Sequence, residues 1–178
     1  MPWSFDTVHS QVSFSVKHMM ISTVRGRFDT FSGTLDLDEE NPAATSLDVT
    51  IDVASINTGD ANRDAHLRSA DFFDADKFPT ATYKSTKVEK IGENEYRIAG
   101  ELTLHGVTRN VELKATLDGL TKDMQGNRRA GFTVETAINR KDFDLNWNVA
   151  LETGGVLVSE KVNIMVDAQI IERVPVTA

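Results

Sequence analysis

Apolar side chains fall on every second position through most of this chain, and that beat restricts the fold more than any other feature. From Ser10, Val12, Phe14 and Val16 point one way while Gln11, Ser13, Ser15 and Lys17 point the other. Leu47, Val49, Ile51 and Val53 alternate with Asp48, Thr50 and Asp52, and the pattern returns at Tyr96 to Leu104, Val111 to Leu117, Ala130 to Ile138 and Val158 to Ile170. A period of two gives each segment one apolar and one polar face, as in a half-buried antiparallel strand; a helix would need a period of about 3.6. Between Thr23 and Asp38 the parity flips, with Val24 and Phe28 before the flip and Phe31, Leu35 and Leu37 after it. A bulge or sharp bend near Asp29 and Thr30 explains this, and Gly26 and Gly33 suit a tightly curved sheet. Ala81 to Ile91 reads as a weaker strand. Asn41-Pro42, Gly92-Glu93-Asn94, His105-Gly106 and Gly126-Asn127 mark turns. The total is about eight strands, several longer than the usual five or six residues. No repeat, low-complexity segment or linker interrupts them, so residues 1–178 are expected to form a single domain.

One stretch, Ser55 to Pro79, keeps no such alternation. Asp60 or Thr58 suits a helix N-cap, and Asp60 and Asp64 suit the positive end of a helix dipole. Phe72, Phe73 and Phe78 follow, and Pro79 is expected to stop the helix. A short helix with an aromatic tail, set among strands, either plugs one end of a packed core or covers a cavity. Pattern alone favours the plug.

Composition removes several function classes. A net charge of −8 does not offer the basic stripe that duplex binding needs, so no nucleic-acid partner is expected. No apolar run nears the about 18 residues of a membrane-crossing helix, so a membrane-spanning chain is not expected. The segment MPWSFDTVHS lacks a basic region followed by an apolar core. The expected location is therefore cytoplasmic, or periplasmic if a leader has been removed. The absence of Cys removes disulfides, thiolate nucleophiles and Cys metal sites together.

Consecutive strands with one apolar face each bury those faces in a sandwich or in a closed up-and-down barrel, and closure removes exposed edges. The parity flip, the strand glycines and the lone helix favour the barrel. About eight strands is the size at which side chains fill the interior or one small ligand occupies it. The small inward residues Gly100, Ala115, Ala130, Thr136 and Ala168 favour a cavity. A strand of about 14 residues, roughly 46 Å at about 3.3 Å per residue, makes a tall apolar tube that suits an elongated apolar ligand. Large residues opposite the small ones would close that space, and composition leaves both readings open.

Catalytic signatures are weak. His9, His18, His66 and His105 show no HxH or HExxH spacing, and neither a metal nor a cofactor is expected. His66 and Asp64 lie too close along the helix to face each other. No GxSxG elbow or GxGxxG loop is present, and no catalytic residue is assigned. His105 reads as a solvated or hydrogen-bonding turn residue. Basic residues are the better lead: Arg25 and Arg27 flank Gly26, Arg63 and Arg68 lie on the helix, and Arg140-Lys141 end a strand. Converging at a barrel mouth, they would hold an anionic head group; scattered, they are surface charges.

Six blocks stand in order along the chain: WSFDTVHSQVSFSVKH, VRGRFDTFSG, SINTGDANRDAHLRSADFFD with KFPTATYKS, GELTLHGVTRNV, INRKDFDL and VSEKVNI. Any one is weak, but all of them in this order are specific. On these blocks the chain resembles the YceI-like family, lipocalin-shaped proteins associated with binding polyisoprenoids, over nearly its whole length. The resemblance implies an all-β fold: an extended eight-stranded antiparallel lipocalin-like barrel with one short α-helix inserted between strands and a long apolar pore. It implies non-enzymatic binding or carriage of a long-chain isoprenoid lipid, of polyprenyl or isoprenoid-quinone type. The alternative ligand that the resemblance implies is another long apolar molecule such as a fatty-acid derivative. An enzyme acting on such a lipid through His18 or His66, and a packed structural or stress protein, are the alternatives; a homodimer is left open. Parity predicts that Phe14, Val16, His18, Phe28, Val49, Ile51, Leu102, Leu113, Phe132, Val134, Ile164 and Val166 face inward against such a ligand. Arg25, Arg63, Arg140 and Lys141 are the candidate head-group residues. Phe72, Phe73 and Phe78 are the expected rim of a lid.

Overall fold

The computed structural model describes residues 3–149, 151 and 157–172. Met1, Pro2 and Gly154-Gly155, the end of a late loop expected from Asn139, lie outside these residues. The described strands are β1 (Trp3–Phe5), β2 (Gln11–His18), β3 (Ser22–Phe28), β4 (Phe31–Asp36), β5 (Ser46–Asp52), β6 (Ile56–Asn57), β7 (Thr80–Lys90), β8 (Glu95–Leu104), β9 (Val107–Lys122), β10 (Arg128–Asn139) and β11 (Lys161–Glu172). One helix, α1 (Ala61–Arg68), follows β6.

These strands form eight long ones. Both β1 and β2 pair with β11, through Ser4 opposite Ile171 and Phe14 opposite Ile164, so they are two halves of a single kinked strand. In the same way β3 and β4 make the second strand, and β5 and β6 the third. Each long strand pairs antiparallel with its neighbours in sequence, and β11 returns to the first one, which closes an eight-stranded up-and-down barrel. The ring closes through partial ladders: β6 meets β3 only at Arg27 and Phe28, and β10 meets β9 only from Lys114 to Lys122.

The break in the second long strand falls where the parity flips, since Phe28 pairs with Val12 and Phe31 with Ile51. Ser55 fills the gap: its Oγ accepts from the Thr30 amide at 3.0 Å, and its carbonyl accepts from the Asp29 amide at 3.1 Å. Two smaller irregularities leave no clear mark in the residue pattern. Thr86 is skipped between Ser85 and Lys87, so Ala81, Tyr83 and Val88 all turn inward despite their mixed parity. Asp118 is skipped opposite the Gly131 to Phe132 step. The last strand begins at Lys161 rather than Val158, which makes only an isolated bridge with His18.

Several strand glycines exist because rings lie over them. A Cβ on Gly26 would overlap the Phe14 ring, one on Gly33 would come within 2.8 Å of the Phe5 ring, and one on Gly100 within 2.6 Å of Tyr83. Gly100 therefore does not leave volume unclaimed, as its small size suggested; the ring of the neighbouring strand takes that space. The end of the barrel away from α1 is closed by Trp3, only 1% exposed, packed with Ala130 and Ile170 and covered by the Arg128 guanidinium 5.2 Å from its ring centre.

The helix starts as expected and ends differently. Asp60 caps it, accepting from the Asn62 and Arg63 amides at 3.0 and 3.1 Å. Thr58 instead serves Asp64, whose buried carboxylate accepts from the Thr58 amide at 2.9 Å and hydroxyl at 2.5 Å. The helix stops at Arg68, well short of Pro79, because turns at Ser69, Phe73 and Ala75 take up the carbonyls of His66, Leu67 and Arg68.

Near the Trp3 end, Asp6 Oδ2 accepts from Arg129 at 2.8 Å and from the His9 ring at 2.7 Å, while Arg129 Nε donates to Asp123 at 2.9 Å. Partial burial works to raise the Asp6 pKa, but the hydrogen bonds from His9 and Arg129 outweigh it and hold it at about 2. A carboxyl with a depressed folded pKa stabilises fully above its unfolded value, near 4, and loses that contribution as pH falls through the folded one. Acid titration followed by near-UV circular dichroism should show Asp6→Asn less stable at neutral pH by about 1–2 kcal/mol. Its stability should also fall less steeply than the parent's between about pH 4 and pH 2.

Candidate binding cavity

At the helix end the barrel is hollow. A cavity of about 460 Å³ lies under α1, within the size range of pockets that enclose one small ligand. Its walls are Phe14, Val16, His18, Phe28, Ile51, Leu102 and Ile164, and its roof is Leu67, Phe72 and Phe73. Leu145, Trp147 and Leu157 close one side, and the cavity reaches the surface beside the exposed Lys17, Asn62 and Arg63.

The rest of the predicted inward set lies deeper. Phe132 and Val134 line a second space of about 70 Å³ towards Trp3, together with Val88, Tyr96 and Ala115. Val49 and Leu113 pack with Tyr83 and Val111 in a layer between the two spaces. Val166 lies level with that layer, between Ile164 of the large cavity and Ala168 of the small one. The tall continuous tube suggested by strand length is thus divided in two.

Aromatic contacts hold the cover down. The rings of His66, Phe72 and Trp147 meet at 4.9–5.1 Å between centroids, and Phe73 meets Phe28 edge-on at 6.0 Å. Phe78 is not on this rim. The turns after α1 carry it to the β8–β9 hairpin, where it packs on His105 at 4.9 Å and against Gly106.

The four candidate head-group residues separate. Arg140 borders the cavity but is 4% exposed and fully engaged with backbone: Nε donates to Ser159 O at 2.9 Å, Nη1 to Leu145 O at 2.6 Å and Trp147 O at 3.0 Å, and Nη2 to Val158 O at 3.2 Å. Burial lowers its pKa from arginine's ordinary value, with Glu160 acting in the opposite direction. Its work is to tie the late loop to the barrel. Arg25 is exposed on the outer face of β3, because it alternates with the inward Val24 and Gly26, and Lys141 is exposed and paired with Glu160 at 2.9 Å. Only Arg63 stands at the mouth, its guanidinium donating to Thr58 Oγ1 at 2.8 Å and Thr58 O at 2.9 Å.

Sequence reasoning missed Lys17, Asn62 and Trp147. Strand parity assigned Lys17 outward, yet at the end of β2 it borders the mouth, with Nζ donating to Thr23 Oγ1 at 2.9 Å. A lone Trp in a long polar loop was the one available signal for Trp147. His66 Nε2 meets Asp71 at 2.9 Å instead of Asp64. Among the described residues, no group of three or more His, Cys, Asp or Glu side chains is placed to hold a metal ion, and no helix is long and apolar enough to cross a membrane.

A closed antiparallel barrel of eight strands, with an apolar cavity beneath one short helix, defines a lipocalin-like barrel protein. The sequence model of the YceI-like domain matches residues 3–170, and the chain belongs to the YceI-like family. It is similar to Protein YceI of Escherichia coli O157:H7, 47% identical over 137 residues that make up 77% of this chain and 71% of that protein. A UPF0312 protein of Vibrio parahaemolyticus is 42% identical over 137 residues, 77% of this chain and 72% of the relative. Among solved structures, Burkholderia cenocepacia BcnA matches with a TM-score of 0.78 at 27% identity, covering 95% of this chain and 99% of BcnA. The Campylobacter jejuni YCEI protein matches at 0.76 and 33% identity, over 88% and 90% of the two chains. A polyisoprenoid binding domain from Saccharophagus degradans shares the fold at a TM-score of 0.73 and 18% identity, over 96% of this chain and 98% of that one.

Proposed function

We propose that this protein binds one long-chain isoprenoid lipid, tail inward, in the cavity beneath α1, and carries or stores it without chemical turnover. The observation that carries this reading is the apolar cavity of about 460 Å³ opening beside Lys17 and Arg63. Apolar walls favour a tail through burial at roughly 25 cal/mol per Å², and cations at the rim favour a polar or anionic head that stays wet. The binding named for the Saccharophagus domain makes isoprenoids the first ligands to try. A fatty-acid derivative is the second reading, since the same rim cations would pair with a carboxylate.

The test is extraction and mass spectrometry of whatever the purified protein retains, followed by calorimetric titration with farnesyl phosphate, geranylgeranyl phosphate and palmitate. Saturable isoprenoid binding supports the proposal; retention of palmitate alone replaces it with the second reading, and no binding overturns both. Ile164→Trp fills hollow space, so it should weaken binding at least about tenfold with little change in stability. Leu113→Trp enters the packed layer and should instead cost about 1–3 kcal/mol in urea denaturation.

A further inference from the structure

We propose that Tyr83 is a chain-length stop that determines how long an apolar tail this barrel accepts; the inference rests on the tail-inward reading above. Tyr83 is 7% exposed and lies in the layer between the two internal spaces, packed with Val49, Val111 and Leu113. The strands on which residues change sides pass this level together: Ile51, Ala81, Leu102 and Ile164 line the upper space, and Leu47, Val88, Ile98 and Ala168 the lower one.

A phenol is a costly choice for such a layer, because a buried hydroxyl is destabilising unless it is hydrogen-bonded. Here it has partners. The Tyr83 hydroxyl donates to Val111 O at 2.8 Å, with Ile98 O at 3.4 Å. Both acceptors lie in the β8–β9 ladder, Val111 opposite Gly100 and Ile98 opposite Leu113, where a carbonyl keeps a second lone pair for the hydroxyl. On the other side of β9, past the end of its pairing with β10 at Lys114, Thr136 takes up the Glu112 carbonyl at 2.7 Å. Burial, and secondarily the charge of Glu112, raise the Tyr83 pKa, so the group stays a neutral donor. The ring itself lies across Gly100, where any Cβ would sit 2.6 Å from Cζ and the hydroxyl oxygen. Glycine beneath and a directed bond at the far end hold the ring in one place; a leucine or phenylalanine would pack there without being pinned. A tail entering past Lys17 and Arg63 ends against this ring. A longer one reaches the space around Ala115 and Phe132 only by lifting the ring off Gly100 and breaking its bond.

The experiment is calorimetric binding of two graded alcohol series to the full chain and to Tyr83→Leu and Tyr83→Phe. One series is farnesol, geranylgeraniol and solanesol; the other is decanol, hexadecanol and eicosanol. In the parent, affinity should rise with length and then break. In Tyr83→Leu the ratio of solanesol to farnesol affinity should rise about tenfold, and in Tyr83→Phe it should shift the same way by less. Because each ratio is taken within one variant, partial loss of folded protein does not imitate the effect, and Tyr83→Phe serves if the leucine variant fails to fold. An unchanged ratio in both variants, or no break in the parent, overturns the proposal. If the alkanols bind and the isoprenoids do not, the isoprenoid reading falls while the alkanol ratios still judge Tyr83. If neither series binds, both fall.

Discussion

Replacing Arg140 with Met should lower stability by about 4 kcal/mol and release the side wall of the cavity. The guanidinium is 4% exposed and serves four carbonyls, those of Leu145, Trp147, Val158 and Ser159. Each acceptor left buried without a donor costs roughly 1–3 kcal/mol, and water entering near the mouth brings the sum below the full total. Lysine is a poor substitute, since a compact ammonium cannot span carbonyls on two segments as a planar fork does. Arg140→Lys should therefore recover less than half of the loss. Leu145 and Trp147 both line the cavity, and Trp147 meets Phe72 and His66 of the cover, so binding should weaken along with stability. Urea denaturation followed by near-UV circular dichroism measures the first effect. A loss under about 1 kcal/mol would show that the loop stays in place without its clamp.

Gly100→Ala is expected to be the next most damaging change, at about 3 kcal/mol. Its new Cβ would lie 2.6 Å from the Lys84 carbonyl oxygen and equally close to Tyr83. A side chain can turn aside, but a strand carbonyl moves only with its ladder, so β7 and β8 must separate locally. Gly119 and Gly131 provide the control, because a Cβ on either meets nothing within 4 Å. Alanine at those two positions should change stability by no more than about 0.5 kcal/mol. Equal losses at all three sites would mean that backbone freedom, and not close approach, explains the glycines.

The charged residues show how far a sequence pattern reaches. Arg140 and Lys141 are adjacent and chemically alike, yet one is buried under four carbonyls while the other is exposed against Glu160. Nothing local separates them, because the difference comes from where the segments around Leu145 and Val158 return to the barrel. Lys17 and Arg25 were misplaced for a related reason. Parity says which face of a strand a residue occupies, but not whether that part of the face borders a mouth.

Strand identity and inward faces were legible in the residues alone, down to the kink at Asp29 and Thr30, because a pleat imposes its period on each segment without help from neighbours. The helix start at Asp60 was legible for the same reason, as capping is a contact within one turn. Its end was not, since turns after Ser69 replaced the stop expected at Pro79. The skipped residues Thr86 and Asp118 were also hidden, because a bulge is defined by the partner strand's register. Whether the barrel is hollow belongs to this second kind of question. Gly100 looked like empty volume until the register placed Tyr83 over it, whereas Phe14, Ile51 and Ile164 enclose real space beneath the helix. Faces follow from neighbours along the chain, but cavities follow from neighbours across it, and only the tertiary fold decides which residues those are.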